Sequence, residues 1–138
     1  KMMFKIIVFT HGPLAAALKE AASMLVGSLD QMECFSVMPG CDLSALSESV
    51  KDSITRSNAA GQGVLVFSDL FFGTPFNILV DLSQKVEFYH ITGVNLPLLI
   101  EAANYSRQEN AKIGEVVKDL MEFSKDTVKD ANQFLASL

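Results

Sequence analysis

The chain has 138 residues, 49% of them hydrophobic, with 16 acidic against 11 basic side chains, for a formal net charge of −5. That length fits one domain with a real core, residues 1–138. The acidic balance, with Arg56 and Arg107 as the only arginines and no basic cluster, argues against a nucleic-acid face.

Lys1, ahead of Met2, reads as an addition to the natural start. Lys1 and Lys5 before Ile6-Ile-Val-Phe9 have a superficial likeness to a signal peptide, but Thr10-His11-Gly12-Pro13 breaks the apolar run too early. Phe4 to Phe9 is therefore expected as the first strand. Leu14, Leu18, Ala22 and Leu25 then form one helical face, with Gly27 where a C-cap belongs. Met32 to Val37 predicts the second strand, and Leu43, Leu46, Val50 and Ile54 predict a helix closed near Gly61. Gly63 to Ser68 is the third strand. It leads through Asp69 into Gly73-Thr-Pro-Phe-Asn77, where Thr74 is expected as N-cap and Pro75 at N1, with the helix running to about Gln84.

Val86 to Thr92 predicts the fourth strand, and Gly93-Val-Asn-Leu-Pro97 a turn into a helix through Ala102. One long last segment carries Ile113, Val116, Val117, Leu120, Val128 and Leu135 at helical spacing, although Phe134 to Leu138 fits a strand as well. The alternation is α/β: an open, mostly parallel sheet with helices on both faces. No segment reaches the apolar length of a membrane span. Cys34 and Cys41 lack the spacing of a disulfide framework or redox motif, which favours a reducing, cytoplasmic setting.

In this arrangement His11 and Asp69 both stand where parallel strands end, the place where open α/β sheets bind ligands. Each precedes a helix whose first N–H groups favour negative charge. At the second helix Thr74 offers a hydroxyl, Phe76 and Asn77 backbone donors, and Gly73 a close backbone approach; Gly12 does the same beside His11. Together they describe a phosphate cradle. An imidazole attacks phosphorus through one nitrogen when the other carries the proton, and a carboxylate accepting that N–H fixes the tautomer. Asp69 is placed for this. An Asx or capping role at the turn also accounts for Asp69 and Thr74, and the two roles are compatible. His90 reads as a structural histidine hydrogen-bonded in or beside the sheet, and Cys34 as a small core hydrophobe. Phe71 and Phe72, consecutive aromatics in a loop, suggest a docking surface. No ligand spacing supports a metal site, and no cofactor fingerprint is present, since Gly61-Gln-Gly63 precedes a strand.

Phe9-Thr-His11-Gly12, Ala22-Ser-Met-Leu-Val-Gly27, Pro39-Gly40, Ser68-Asp69-Leu70 with Gly73-Thr-Pro-Phe-Asn77, and Gly93-Val-Asn-Leu-Pro97 occur in that order. With these motifs the whole chain resembles the mannose-type (mannose/fructose/sorbose) IIA component of the sugar phosphotransferase system. The resemblance implies a phosphohistidine intermediate on His11, received from the histidine carrier protein HPr and passed to the IIB component, with Asp69 bonded to the imidazole and Thr74 contacting the phosphoryl group. It implies strand order 2-1-3-4, an extra antiparallel C-terminal strand exchanged in a homodimer, and an indirect association with the membrane components IIC and IID. The chain ends before any linker of the kind that joins IIA to IIB in fused members, so a free subunit and one domain of a fusion both stay open. The position of Phe72 is commonly glycine in this family, so positive φ there would be strained. The alternatives are the phosphoryl-carrier subunit of dihydroxyacetone kinase, which shares the fold, and a non-catalytic regulatory or ligand-binding α/β domain.

Overall fold

The computed structural model describes residues 2–138, and the reading of Lys1 falls outside them. Strands and helices alternate as β1 (Lys5–His11), α1 (Leu14–Val26), β2 (Glu33–Val37), α2 (Leu43–Ala59), β3 (Val64–Ser68), α3 (Thr74–Leu82), β4 (Tyr89–Thr92) and α4 (Leu96–Ser106), followed by α5 (Ile113–Ser124) and α6 (Ala131–Ala136). All strand pairs are parallel and the order is β2-β1-β3-β4, as expected.

The central strands β1 and β3 are buried from both sides, which explains their unbroken apolar runs, while the edge strands β2 and β4 are only half-buried. Along β1, Ile6 and Val8 face a core shared with Ala15 of α1, Leu99 of α4 and Leu120 of α5. Ile7 and Phe9 face the opposite core, with Val50 and Ile54 of α2 and Leu79 of α3. Each such aliphatic side chain contributes about 1.5–3 kcal/mol on burial, so the two half-cores hold the central strands firmly.

Two boundaries differ from expectation in ways that matter. β1 continues to His11, which pairs with Val37, because the next N–H, of Gly12, donates to the Val37 carbonyl at 2.9 Å. His11 is thus on the last rung of the sheet and not in a free loop. β4 starts late, at Tyr89, because the N–H groups of Lys85 and Val86 both turn back to the Leu82 carbonyl and close α3.

The long C-terminal segment is two helices, not one. After Ser124 the N–H groups of Lys125, Asp126 and Thr127 bond three residues back, which ends α5. Asp130 then caps α6, its Oδ1 accepting from the Gln133 N–H at 3.1 Å. Phe134 to Ala136 is therefore helical, and the antiparallel strand that this segment was expected to supply is absent among the described residues. Local capping decides the outcome.

Chain direction reverses across the sheet between β1 and β3: from β1 the chain moves out to β2, and from β3 it moves the other way to β4. The crevice at the carboxyl ends of β1 and β3 is the topological switch point. His11 and Asp69 flank it.

Candidate active site

His11 and Asp69, 58 residues apart, are locked together by three contacts. The His11 Nδ1 lies 3.0 Å from Asp69 Oδ2 and 3.2 Å from Oδ1, and the His11 backbone N–H donates to the same Oδ2 at 3.0 Å. The carboxylate therefore holds both the main chain and the ring of the histidine. Its side chain is only 12% exposed, against 45% for that of His11. With Nδ1 donating to a carboxylate, Nε2 carries the free lone pair and is the nitrogen available to an incoming group.

Gly73 explains how the ring fits. A Cβ placed there would lie 2.8 Å from His11 Cε1 and 3.1 Å from the Leu70 carbonyl oxygen, closer than real Cβ contacts. The close approach expected of Gly73 is to the imidazole itself, one atom from Nε2. Directly after His11, Gly12 turns the chain at φ +54. Its N–H is already bonded to the Val37 carbonyl, so beside His11 it supplies the turn and not a donor.

The start of α3 also departs from expectation. Gly73 is the N-cap, Thr74 occupies N1 and Pro75 follows it, and no side chain caps the helix. The Thr74 hydroxyl is thereby free of the capping role. The Asn77 N–H closes the first helical bond to the Gly73 carbonyl at 2.9 Å, and its side-chain Nδ2 donates to the Phe72 carbonyl at 3.3 Å. Asn77 therefore braces the loop, and its N–H is not an open donor. The amides of the first turn without an intrahelical acceptor are those of Thr74 and Phe76, Pro75 having none.

The corresponding turn before α1 is closed by a residue not singled out in the sequence. Thr10, fully buried, accepts the Ala15 N–H on its Oγ1 at 2.8 Å. A strand-end threonine thus caps the following helix, a contribution of about 1 kcal/mol. The signal was there in Thr10 standing four residues before a helix with Pro13, a residue without a capping side chain, at its N-cap.

The loop from Leu70 to Gly73 closes with the Gly73 N–H on the Leu70 carbonyl at 2.9 Å, with Phe72 third in the turn at φ +62. Such a turn favours glycine at this place, and a bulky residue there costs about 1–2 kcal/mol. Aromatic packing offsets it. The rings of Phe71 and Phe72 are 4.2 Å apart, and Phe76 meets them at 5.1 and 5.3 Å. Pairs of this kind contribute about 0.5–1.5 kcal/mol each beyond their burial, enough to hold the strained turn. Phe71 and Phe72 remain 62% and 67% exposed, and beside Leu70 they make an apolar patch next to His11.

His90 lies behind this patch, half-buried. Its Nε2 is 2.7 Å from Ser68 Oγ, and burial pushes its pKa down to about 4. The imidazole is neutral and built into the sheet, as its sequence context suggested. Cys34 donates from Sγ to the Ala15 carbonyl at 3.5 Å, and burial pushes its thiol pKa up, which suits a packed thiol and not a nucleophile. No helix among the described residues is long and apolar enough to cross a membrane.

The chain is similar to known proteins in both sequence and fold. Residues 5–121 match the EIIA-man family, described as the PTS system fructose IIA component. The mannose-specific EIIAB component of Escherichia coli strain K12 is 30% identical over 129 residues, 93% of this chain; the chain spans only 39% of that protein. The sorbose-specific EIIA component of Lacticaseibacillus casei is 28% identical over 88% of this chain and 86% of its own length. Among solved structures, the mannose/sorbose specific IIA subunit from Enterococcus faecalis superposes with a TM-score of 0.79 at 25% identity, covering 93% of this chain and 94% of that one.

Proposed function

The chain belongs to the mannose-type IIA family of the sugar phosphotransferase system, and on that premise we propose that it carries a phosphoryl group on His11, between the phosphohistidine carrier HPr and a IIB component. The observation that carries this reading is the Nδ1 contact with Asp69, which leaves Nε2 as the nucleophile. The Nε2 lone pair attacks phosphorus, the bond to the donor imidazole nitrogen breaks, and that nitrogen takes the electron pair. His11 becomes an N-phosphorylated imidazolium whose positive charge is offset by Asp69, while the proton stays on Nδ1. The second transfer reverses these events toward IIB.

Phosphoryl transfer asks the protein chiefly for positioning and charge stabilisation. The Thr74 hydroxyl and the amides of Thr74 and Phe76 at the positive end of α3 are the donors we assign to the phosphoryl oxygens. Asp69 is kept from repelling those oxygens by spending both of its own on His11. Phe71 and Phe72 we assign to partner docking, since an exposed apolar patch beside a reactive group is what a transient protein partner can cover. The protein works in the cytoplasm in this reading, as a homodimer serving the membrane components IIC and IID through IIB.

The test is reconstitution. Incubation with phosphoenolpyruvate, enzyme I and HPr should give an acid-labile, alkali-stable adduct that His11→Ala abolishes. Wild-type protein left unmodified by competent carriers would overturn the assignment.

A further inference from the structure

Three polar side chains meet inside an otherwise apolar stretch of sheet. Ser68, the last residue of β3, is fully buried, and its Oγ lies 2.7 Å from His90 Nε2 and 2.8 Å from Thr92 Oγ1. The register pairs Ser68 with Thr92 and Val66 with His90, so alternation puts all three side chains on the face shared with α2 and α3. The Ser68 carbonyl in turn accepts the N–H groups of Gly93 and Val94, at 3.0 and 3.1 Å. The peptide unit from which Asp69 emerges is therefore tied to β4 and its following turn through both side chain and main chain.

The same imidazole supports the other end of the loop. His90 packs against Phe76 at 5.3 Å between ring centroids, and Phe76 in turn holds Phe71 and Phe72. One ring thus braces the residue before Asp69 and the aromatic return of the chain to Gly73, whose backbone abuts His11. A buried polar cluster costs desolvation that Val, Leu or Phe at these places would avoid. A fully partnered network of this kind holds geometry instead, because each hydroxyl has a partner only in one arrangement.

We propose that His90 is a positioning residue: with Ser68 and Thr92 it sets where Asp69 stands, and through Asp69 which nitrogen of His11 is free. His90 itself touches no reacting atom. Its burial and lowered pKa keep it neutral across the working range, so the brace does not switch. The proposal rests on the phosphoryl-carrier reading for its kinetic consequence, but its effect on the His11 tautomer exists without any transfer.

The test uses His90→Phe, which keeps an aromatic ring against Phe76 and removes the bond to Ser68, together with Ser68→Ala and His90→Gln. Nitrogen-15 NMR of the His11 ring should show the Nδ1-protonated tautomer dominant in the wild type and depleted in His90→Phe and Ser68→Ala. Transfer from phosphorylated HPr at saturating carrier should slow about tenfold, with the KM for HPr little changed, as expected of a displaced catalytic pair. His90→Gln, which retains a donor, should recover part of both signals. If His90→Phe does not fold, Ser68→Ala decides alone. Lower melting temperatures with an unchanged His11 tautomer and an unchanged saturated rate would make the network merely structural and overturn the proposal. A His11 tautomer altered in the variants, alongside a wild-type protein that accepts no phosphoryl group, would support the brace and refute the carrier reading instead.

Discussion

The two strand-to-helix turns at the switch point do similar work by different means. The first, Thr10 to Pro13, is short, closed from below by a buried threonine, and it leaves the His11 ring nearly half exposed. The second, Asp69 to Gly73, is longer, buries its acid, and bends through a strained phenylalanine held by two neighbouring rings. In the proposed function, the nucleophile is on the open turn and the orienting group on the braced one. That division suits a carrier that must present one nitrogen to two successive partners while keeping its tautomer constant.

The largest expected effect tests whether the two turns need close contact. Gly73→Ala places a methyl group 2.8 Å from His11 Cε1, so the ring must move, and the transfer rate should fall about a hundredfold with the fold retained by circular dichroism. A wild-type rate would mean the imidazole is not confined. Next is the acid itself. Asp69→Asn keeps the shape and loses the charge, and stopped-flow transfer should slow by about tenfold or more, by analogy with the carboxylates that orient metal-binding histidines; unchanged kinetics would remove Asp69 from the mechanism.

A smaller effect separates the aromatic part of the second turn from its catalytic part. Phe72→Gly relieves about 1–2 kcal/mol of backbone strain and loses aromatic contacts of similar size, so denaturant unfolding should shift by no more than about 1 kcal/mol. Affinity for a protein partner should fall more clearly, and equal affinity would leave the exposed pair without a docking role. The smallest effect is on stability against pH. His90 has a folded pKa of about 4 against an ordinary 6.5, so the unfolded chain binds the proton first. Its contribution is complete above about pH 6.5 and declines as pH falls toward 4. His90→Phe should flatten that part of the melting-temperature profile, and a profile of unchanged slope would mean the group titrates normally.

Much of this division was legible in the chain. The parallel α/β sheet followed from the apolar runs, its strand order from the family resemblance, and the meeting of His11 with Asp69 from the rule that ligands gather where parallel strands end. Details of the turns were not, because they depend on which hydrogen bond closes first. Thr74 was expected to cap α3, but Gly73 takes that place, and Asn77 was expected to donate to a bound group, but the Gly73 carbonyl already accepts its N–H. The C-terminal helix turned on Asp130, a single capping residue in a segment with both helical and strand character. Phe72 was recognised as costly at positive φ, yet only the packing of Phe71 and Phe76 around it reveals how the cost is met.

The central claim is that Asp69 holds Nδ1 so that His11 receives the phosphoryl group on Nε2. Phosphorus-31 and nitrogen-15 NMR of the phosphorylated protein distinguishes the two ring positions directly. The account predicts a single adduct on His11 Nε2; an adduct on Nδ1, or on His90, would contradict it.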